Sequence, residues 1–236
     1  MNHLANIISI ISLLCGFTSI IFSLEGHFTF ASWAIIFSVI FDGIDGQVAR
    51  MINSPSNFGK ELDSLVDVIS FGIAPTVLGY IFVYRDFHLF ATVALFIYLL
   101  CSVMRLAKYN ITVKDEIKNY FYGLPTTVSG GILASFILIY RRYTHLPAPA
   151  AFFILVIVLA ALMVSKIKYA NLDALKDLFR NSALMAAGVI LAGVISVAAF
   201  YVATGVFLSE IFIFTLFVIY LLFSPFMLKS FSSVTK

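Results

Sequence analysis

Charge is scarce in this chain: Asp, Glu, Lys and Arg make up 11% of its 236 residues, where soluble domains carry about 25%. Apolar residues reach 61% and the mean hydropathy is +1.04. These values exclude an ordinary soluble or disordered chain and leave a multi-span helical membrane protein. The formal net charge of +3 is too small to argue for a nucleic-acid partner, so none is expected. Cysteine is nearly absent. Cys15 and Cys101 lie in separate apolar stretches with no C-x-x-C pair, which excludes a redox motif and reads as two buried thiols. His3, His27, His88 and His145 fall near segment ends without paired ligand spacing, which argues against a zinc site. The first apolar stretch has no basic lead and no A-x-A-like site after it, so it reads as a retained span rather than a signal peptide.

What the chain does have is apolar length. Stretches of about 20 residues, enough to span a bilayer, are expected at 4–24, 28–51, 58–84, 87–109, 124–140, 149–165, 183–203 and 206–228. Polar sequence fills 110–120. The segment 166–180 alternates charge around Leu172, Leu175 and Leu178, a pattern that predicts a short interfacial helix. Tyr109, Tyr120 and Tyr122 read as an interfacial aromatic belt. No internal repeat or low-complexity linker is visible, so one structural unit is expected. With eight spans, every Lys and Arg except Arg85, Arg141 and Arg142 falls on the side of the N-terminus. The positive-inside rule makes that side cytoplasmic, with both termini and the 50–60 connection facing it.

Four acids break the apolar pattern of the second and third stretches. Asp42 and Asp45 are three apart, and Asp63 and Asp67 four apart, so each pair shares a helix face. Each charge at membrane depth costs about 2.5–3.5 kcal/mol on insertion scales and marks a functional path or a bound ion. Pro55, with Asn53, Ser54 and Asn57 around it, interrupts the helix between the pairs. The two spans then form a hairpin, with Asp42, Asp45, Gly46 and Ala49 facing Gly59, Asp63 and Asp67 across a common space. Carboxylates suit Mg²⁺, Mn²⁺ or Ca²⁺, and two such ions about 3.5–4 Å apart are a device for displacement at phosphorus. The small residues admit a bulky ligand or a neighbouring helix. Arg50, one turn beyond Gly46, can bind phosphate or cap the acids. A lone aspartate in a span is commonly a helix-pairing contact, which four at two helical spacings are not. A carboxylate-lined cation or proton path is the other functional reading.

The run Asp42-x-x-Asp45-Gly46-x-x-Ala49-Arg50, then eight residues, Gly59, three residues, Asp63, three residues and Asp67 resembles the signature of the CDP-alcohol phosphatidyltransferase family. The resemblance implies an all-α, polytopic membrane protein with a six-helix core, here with about two further transmembrane helices. The core is expected over 1–170 and the extension over 171–236. It implies transfer of a phosphatidyl or similar group from a CDP-linked lipid to an alcohol, with release of CMP. It implies two divalent ions, Mg²⁺ or Mn²⁺, held by Asp42, Asp45, Asp63 and Asp67, with Asp67 also the proton acceptor. Gly46, Ala49, Arg50 and Gly59 fall on the CDP-lipid site, and Ser56 on a serine that contacts the nucleotide-lipid in some members. Asn6-x-x-Ser9 resembles the family's N-x-x-T near the diphosphate, although Ala5 replaces the preceding proline.

Four further stretches resemble the family's membrane-bound phosphatidylserine synthase branch. They are Asp63-Ser-Leu-Val-Asp-Val-Ile-Ser-Phe-Gly-Ile-Ala-Pro75, Arg105-Leu-Ala-Lys-Tyr-Asn110, Gly123-Leu-Pro125 and Val164-Ser-Lys-Ile-Lys-Tyr169. That branch implies CDP-diacylglycerol and L-serine as substrates, among membrane lipids, in the plasma membrane of a prokaryote. Serine requires a group for its carboxylate near Asp67. Arg105 is the first candidate, with Lys108 and Asn110 beside it; Arg105 and Lys108 also read as positive-inside anchors, and Pro75 and Pro125 as helix kinks. Three alternatives stay open: another acceptor such as glycerol phosphate or an inositol phosphate, an archaeal ether-lipid donor, and a cation-binding transport protein. Homodimerisation is implied by the family alone, since Gly188 and Gly193 do not form a GxxxG pair.

Overall fold

The computed structural model describes residues 2–51, 57–112, 120–142, 148–170 and 209–234. Helix α1 (Asn2–Leu24) and helix α2 (Phe28–Met51) form an antiparallel hairpin. The turn between them is a Schellman stop. Gly26 takes φ 78°, its N–H donates to the Ser23 carbonyl at 3.0 Å, and the His27 N–H reaches the Phe22 carbonyl at 2.8 Å. A side chain at Gly26 would strain this left-handed backbone.

Helix α3 (Asn57–Asp67) runs into a π-helical turn over Val68–Ile73 and then into helix α4 (Ala74–Thr112). Pro75 accounts for the widened turn. It has no N–H for the Phe71 carbonyl, and its ring would press on that oxygen in a regular α-helix. The Tyr98 hydroxyl donates to the Phe71 carbonyl instead, at 3.1 Å. Phe87, at φ −144° and ψ 43°, breaks α4 into two lengths, so the chain crosses the bundle twice between 58 and 111. Helices α5 (Thr126–Arg142) and α6 (Ala148–Val164) follow, and helix α7 (Ser209–Val234) packs on α5.

The core lies between α4, α5 and α6, where Phe71, Leu78, Tyr98, Leu133, Ile137 and Phe152 are fully buried. A second seam joins α1 to α2 and the π turn through hydroxyls. The Ser12 and Ser38 hydroxyls meet at 2.7 Å, and Ser70 donates to the Ser12 carbonyl at 3.3 Å. Gly16 packs directly on Ser70, leaving no space for a Cβ, the close approach that small residues permit between membrane helices. Outward faces are apolar: Leu14 and Phe17 on α1, and Phe90 and Phe96 on α4, are each more than half exposed. Such stripes suit lipid contact.

Four helical lengths, Ala5–Leu24, Phe28–Val48, Phe58–Val83 and Phe87–Ile111, are long and apolar enough to cross a membrane. These match the first four expected spans. Shorter apolar helices at Thr126–Arg141, Ala150–Val164 and Glu210–Leu222 occupy the fifth, sixth and eighth; the seventh lies outside the described residues. The described residues are almost wholly helical, as expected, with a small two-stranded ribbon among them. Strands β1 (Tyr120–Tyr122) and β2 (Lys168–Ala170) pair antiparallel, Phe121 opposite Tyr169. The start of the expected interfacial helix over 166–180 is therefore a strand, and Leu172, Leu175 and Leu178 lie outside the described residues. In place of a simple aromatic belt, Tyr122 lies under the Lys168 ammonium, 6.0 Å from ring centroid to nitrogen; Tyr109 is partly exposed.

Candidate active site

Asp42 and Asp45 lie in the second half of α2 and Asp63 and Asp67 in the second half of α3, and both helices pack on α1. Carboxylate oxygens of Asp42, Asp63 and Asp67 lie within 4.8 Å of one another. Oxygens around one Mg²⁺ at about 2.1 Å stand about 3 Å apart when adjacent and about 4.2 Å when opposite, so small side-chain shifts bring all three onto one cation. Without a cation the cluster is costly. Two unit charges 4.8 Å apart repel by about 3.5 kcal/mol at an effective dielectric of about 20. The Asp67 Oδ1 is also buried with no hydrogen-bond partner. Convergent hard oxygens with an orphaned acceptor fit a divalent cation, whereas a helix-pairing contact would leave the acceptor satisfied.

The four acids do not form an even ring. Asp45, 4% exposed, accepts a hydrogen bond from the Ser9 hydroxyl at 2.7 Å. That hydroxyl has one hydrogen, and the short charge-assisted contact is favoured over the Ala5 carbonyl at 3.1 Å. Asp45 still feels the charges of Asp63 and Asp42, so it borders the cluster while α1 holds it. Asn6, half-buried, lies one turn before Ser9.

The opposite wall comes from α4 and α5. Arg105 interacts electrostatically with Asp67 and Asp42, and its Nη1 donates to the Thr126 hydroxyl at 3.0 Å. Asp42 interacts with the side chain of Thr127. Gly123 and Pro125 set this helix start. Gly123 has φ 78°, its N–H donates to the Ile167 carbonyl at 2.8 Å, and the Leu124 N–H donates to Leu162 at 3.0 Å. A Cβ on Gly123 would collide with the Met163 carbonyl. The turn thus pins the first residues of α5 to the end of α6, with Thr126 and Thr127 toward the acids.

The predicted acceptor residues part company here. Arg105 stands beside Asp67. Asn110 instead donates from Nδ2 to the Ser64 hydroxyl at 2.9 Å, tying the end of α4 to α3 beside Asp63. Lys108 is exposed. Gly46 and Gly59 are partly buried on the two acid-bearing helices. The side chains of Ala49 and Arg50, and Ser56 altogether, lie outside what the structure describes. Thr126, Thr127 and Ser64 were not singled out from sequence. Pro125 immediately before a Thr pair was the available signal for the first two, because Pro marks helix starts.

The family model for CDP-alcohol phosphatidyltransferase matches residues 2–167. The chain belongs to the CDP-alcohol phosphatidyltransferase family. Curated relatives agree. A CDP-diacylglycerol--serine O-phosphatidyltransferase of Helicobacter pylori is 32% identical over 173 residues, 72% of this chain and 73% of the relative. An archaetidylserine synthase of Methanothermobacter thermautotrophicus is 35% identical over 174 residues, covering 73% and 71%. A CDP-diacylglycerol--serine O-phosphatidyltransferase of Saccharomyces cerevisiae is 36% identical over 137 residues, 52% of this chain and 49% of the relative. Membership of this family and four long apolar helices make the chain an integral membrane enzyme, and its acid cluster the natural seat of a divalent metal.

Proposed function

We propose that this phosphatidyltransferase moves a phosphatidyl group from CDP-diacylglycerol to the hydroxyl of L-serine, forming phosphatidylserine and releasing CMP. The observation that carries this reading is the position of Arg105, a cation beside the Asp42–Asp63–Asp67 cluster in a family whose substrate is a CDP-linked lipid. A planar guanidinium pairs with serine's carboxylate and equally with the phosphate of glycerol or inositol phosphate, so the choice of serine among anionic acceptors rests on the relatives' names. The named relatives above also share serine as acceptor, in both the ester- and ether-lipid cases.

In this mechanism Asp42, Asp45, Asp63 and Asp67 would hold two divalent ions, Mg²⁺ or Mn²⁺, which would supply positive charge to the donor's diphosphate. Gly46, Ala49, Arg50, Ser56, Gly59, Asn6 and Ser9 frame the CDP-lipid. Arg105 orients the serine carboxylate, with Asn110 and Lys108 nearby. The Asp67 carboxylate accepts the proton from the serine hydroxyl. The serine oxygen then bonds to the lipid-side phosphorus as the bond from that phosphorus to the bridging oxygen breaks, and CMP leaves with the electron pair. Positioning and charge stabilisation supply most of the acceleration, and proton transfer contributes about 10²–10⁴-fold.

The reading includes a topology: six core spans over 1–170, two more over 171–236, and both termini with the acid site toward the cytoplasm. Its support is the distribution of Lys and Arg. On that side, water-soluble serine and CMP exchange while the lipid stays embedded. The test is CMP release by purified protein with Mg²⁺ or Mn²⁺, CDP-diacylglycerol or its ether-linked counterpart, and a panel of alcohols. Release with L-serine is the expected result. Release only with glycerol phosphate or an inositol phosphate changes the acceptor, and no release with any alcohol favours a cation-transport role for the acids.

A further inference from the structure

Asp67 is the last residue of α3, and the π turn starts at the next residue. A π turn holds one residue more than an α turn, and one residue is about 100° of helix. The turn therefore sets the rotation of α3 about its own axis, and with it the face on which Asp63 and Asp67 stand. Pro75 leaves the Phe71 carbonyl without its α-helical donor, and the Tyr98 hydroxyl donates to that oxygen at 3.1 Å. Tyr98 and Ser129 are both fully buried, and their hydroxyls stand 3.1 Å apart. With the Tyr98 hydrogen on Phe71, Ser129 is the donor between them. The Ser129 oxygen also lies 2.9 Å from the Thr126 carbonyl and 3.3 Å from the Met163 sulfur, so one buried polar chain joins the π turn to α5 and α6. Packing closes on the turn from two sides. Gly16 of α1 lies directly on Ser70, and a Cβ on Gly130 of α5 would stand 3.3 Å from the Phe71 Cα and from the Pro75 ring. A phenylalanine would fill the space of Tyr98, so the hydroxyl contributes direction rather than volume.

We propose that Tyr98 is a positioning residue for the acid cluster: its hydroxyl, bonded to the Phe71 carbonyl and to Ser129, holds the π turn open and keeps Asp63 and Asp67 turned toward Asp42. It acts through the backbone of the turn and not at the reacting atoms. The inference rests on the reading of these acids as metal ligands, with Asp67 the proton acceptor. Groups that orient metal ligands are worth about 10–100-fold in metal affinity or activity, and Tyr98, one step further away, belongs at the lower end.

The test is Mn²⁺ binding by the purified full chain in zwitterionic lipid vesicles, read without turnover from the EPR signal of the free ion. CMP release and Tm are followed alongside. Tyr98→Phe leaves the Phe71 carbonyl unsatisfied, so some loss of Tm is expected whatever its role, and binding is read well below Tm. Tyr98→Phe is expected to weaken Mn²⁺ binding about 10-fold and, at saturating Mn²⁺, to lower kcat about 10-fold with the serine KM unchanged. In a Pro75→Ala background, where residue 75 regains an N–H for Phe71, the same change is expected to add less than about 2-fold. Ser129→Ala, which keeps the Phe71 bond, is expected to weaken Mn²⁺ binding by less than Tyr98→Phe does. Unchanged Mn²⁺ affinity and kcat in Tyr98→Phe, with only Tm lowered, reduce the contact to packing and overturn the proposal. A full effect of Tyr98→Phe on top of Pro75→Ala, or a larger loss from Ser129→Ala, overturns the route through the π turn. No Mn²⁺ bound by the unaltered protein overturns the metal reading of the acids and this proposal with it. No CMP release with serine, with the Mn²⁺ shift present, overturns the choice of acceptor and supports the role of Tyr98.

Discussion

Helix α2 carries two polar contacts about one turn apart, one with α1 and one with α3, and the two are built in opposite ways. At Ser12 and Ser38 the hydroxyls meet at 2.7 Å, and each also reaches the other's carbonyl, at 3.2 and 3.0 Å. Polar groups there satisfy one another. One turn beyond Ser38, Asp42 faces Asp63 and Asp67 within 4.8 Å, where like charges repel and an Asp67 oxygen has no partner. The seam is complete within the chain, whereas the acid cluster leaves an acceptor open and could hold a cation. Self-satisfied polarity holds membrane helices together, and unsatisfied polarity marks where a ligand belongs.

That contrast can be broken or sharpened experimentally. The largest effect is expected from metal removal: chelation abolishes CMP release and added Mg²⁺ or Mn²⁺ restores it, while Asp63→Ala abolishes it beyond rescue. Activity that survives chelation would put the acid cluster in the same class as the serine seam. Next, Asp67→Asn is expected to lower kcat by about 10²–10⁴-fold while equilibrium binding of the CDP-lipid is largely kept; a fully active variant removes Asp67 as base. Ser9→Ala deprives Asp45 of its orienting donor and is expected to raise the metal concentration for half-maximal activity by about 10–100-fold, with Ser9→Thr restoring it. The smallest effect is expected from Ser12→Ala with Ser38→Ala. Membrane hydrogen bonds average about 0.6 kcal/mol, so unfolding stability falls slightly and the metal requirement stays put. A shifted metal requirement in that variant would show that seam and site are coupled.

Much of this was legible in the chain because membrane sequences carry strong one-dimensional signals. Long apolar runs announced the first four spans, and the run of Asp42, Asp45, Gly46, Gly59, Asp63 and Asp67 announced the family. The break expected at Pro55 lies outside the described residues, between α2, described to Met51, and α3, described from Asn57. Less legible was anything that depends on contacts remote in sequence. The ribbon of Tyr120–Tyr122 with Lys168–Ala170 joins segments more than forty residues apart, and no local periodicity foretells it. The π turn was hidden for a similar reason. Pro75 reads as a kink, but its consequence depends on the Tyr98 hydroxyl, further along α4, donating to the Phe71 carbonyl.

The sequence alone determined that this is a membrane protein with a carboxylate site of the CDP-alcohol phosphatidyltransferase type, because hydropathy and helical spacing are properties of neighbouring residues. Only the tertiary structure decided how the carboxylates divide their surroundings. Asp45 is held by Ser9 across the α1–α2 interface, while Asp42, Asp63 and Asp67 converge. It also decided that Arg105 interacts with Asp67 and Asp42, while Asn110 bonds Ser64 instead. Those assignments follow from which helix faces meet, and packing of residues distant in the chain sets that.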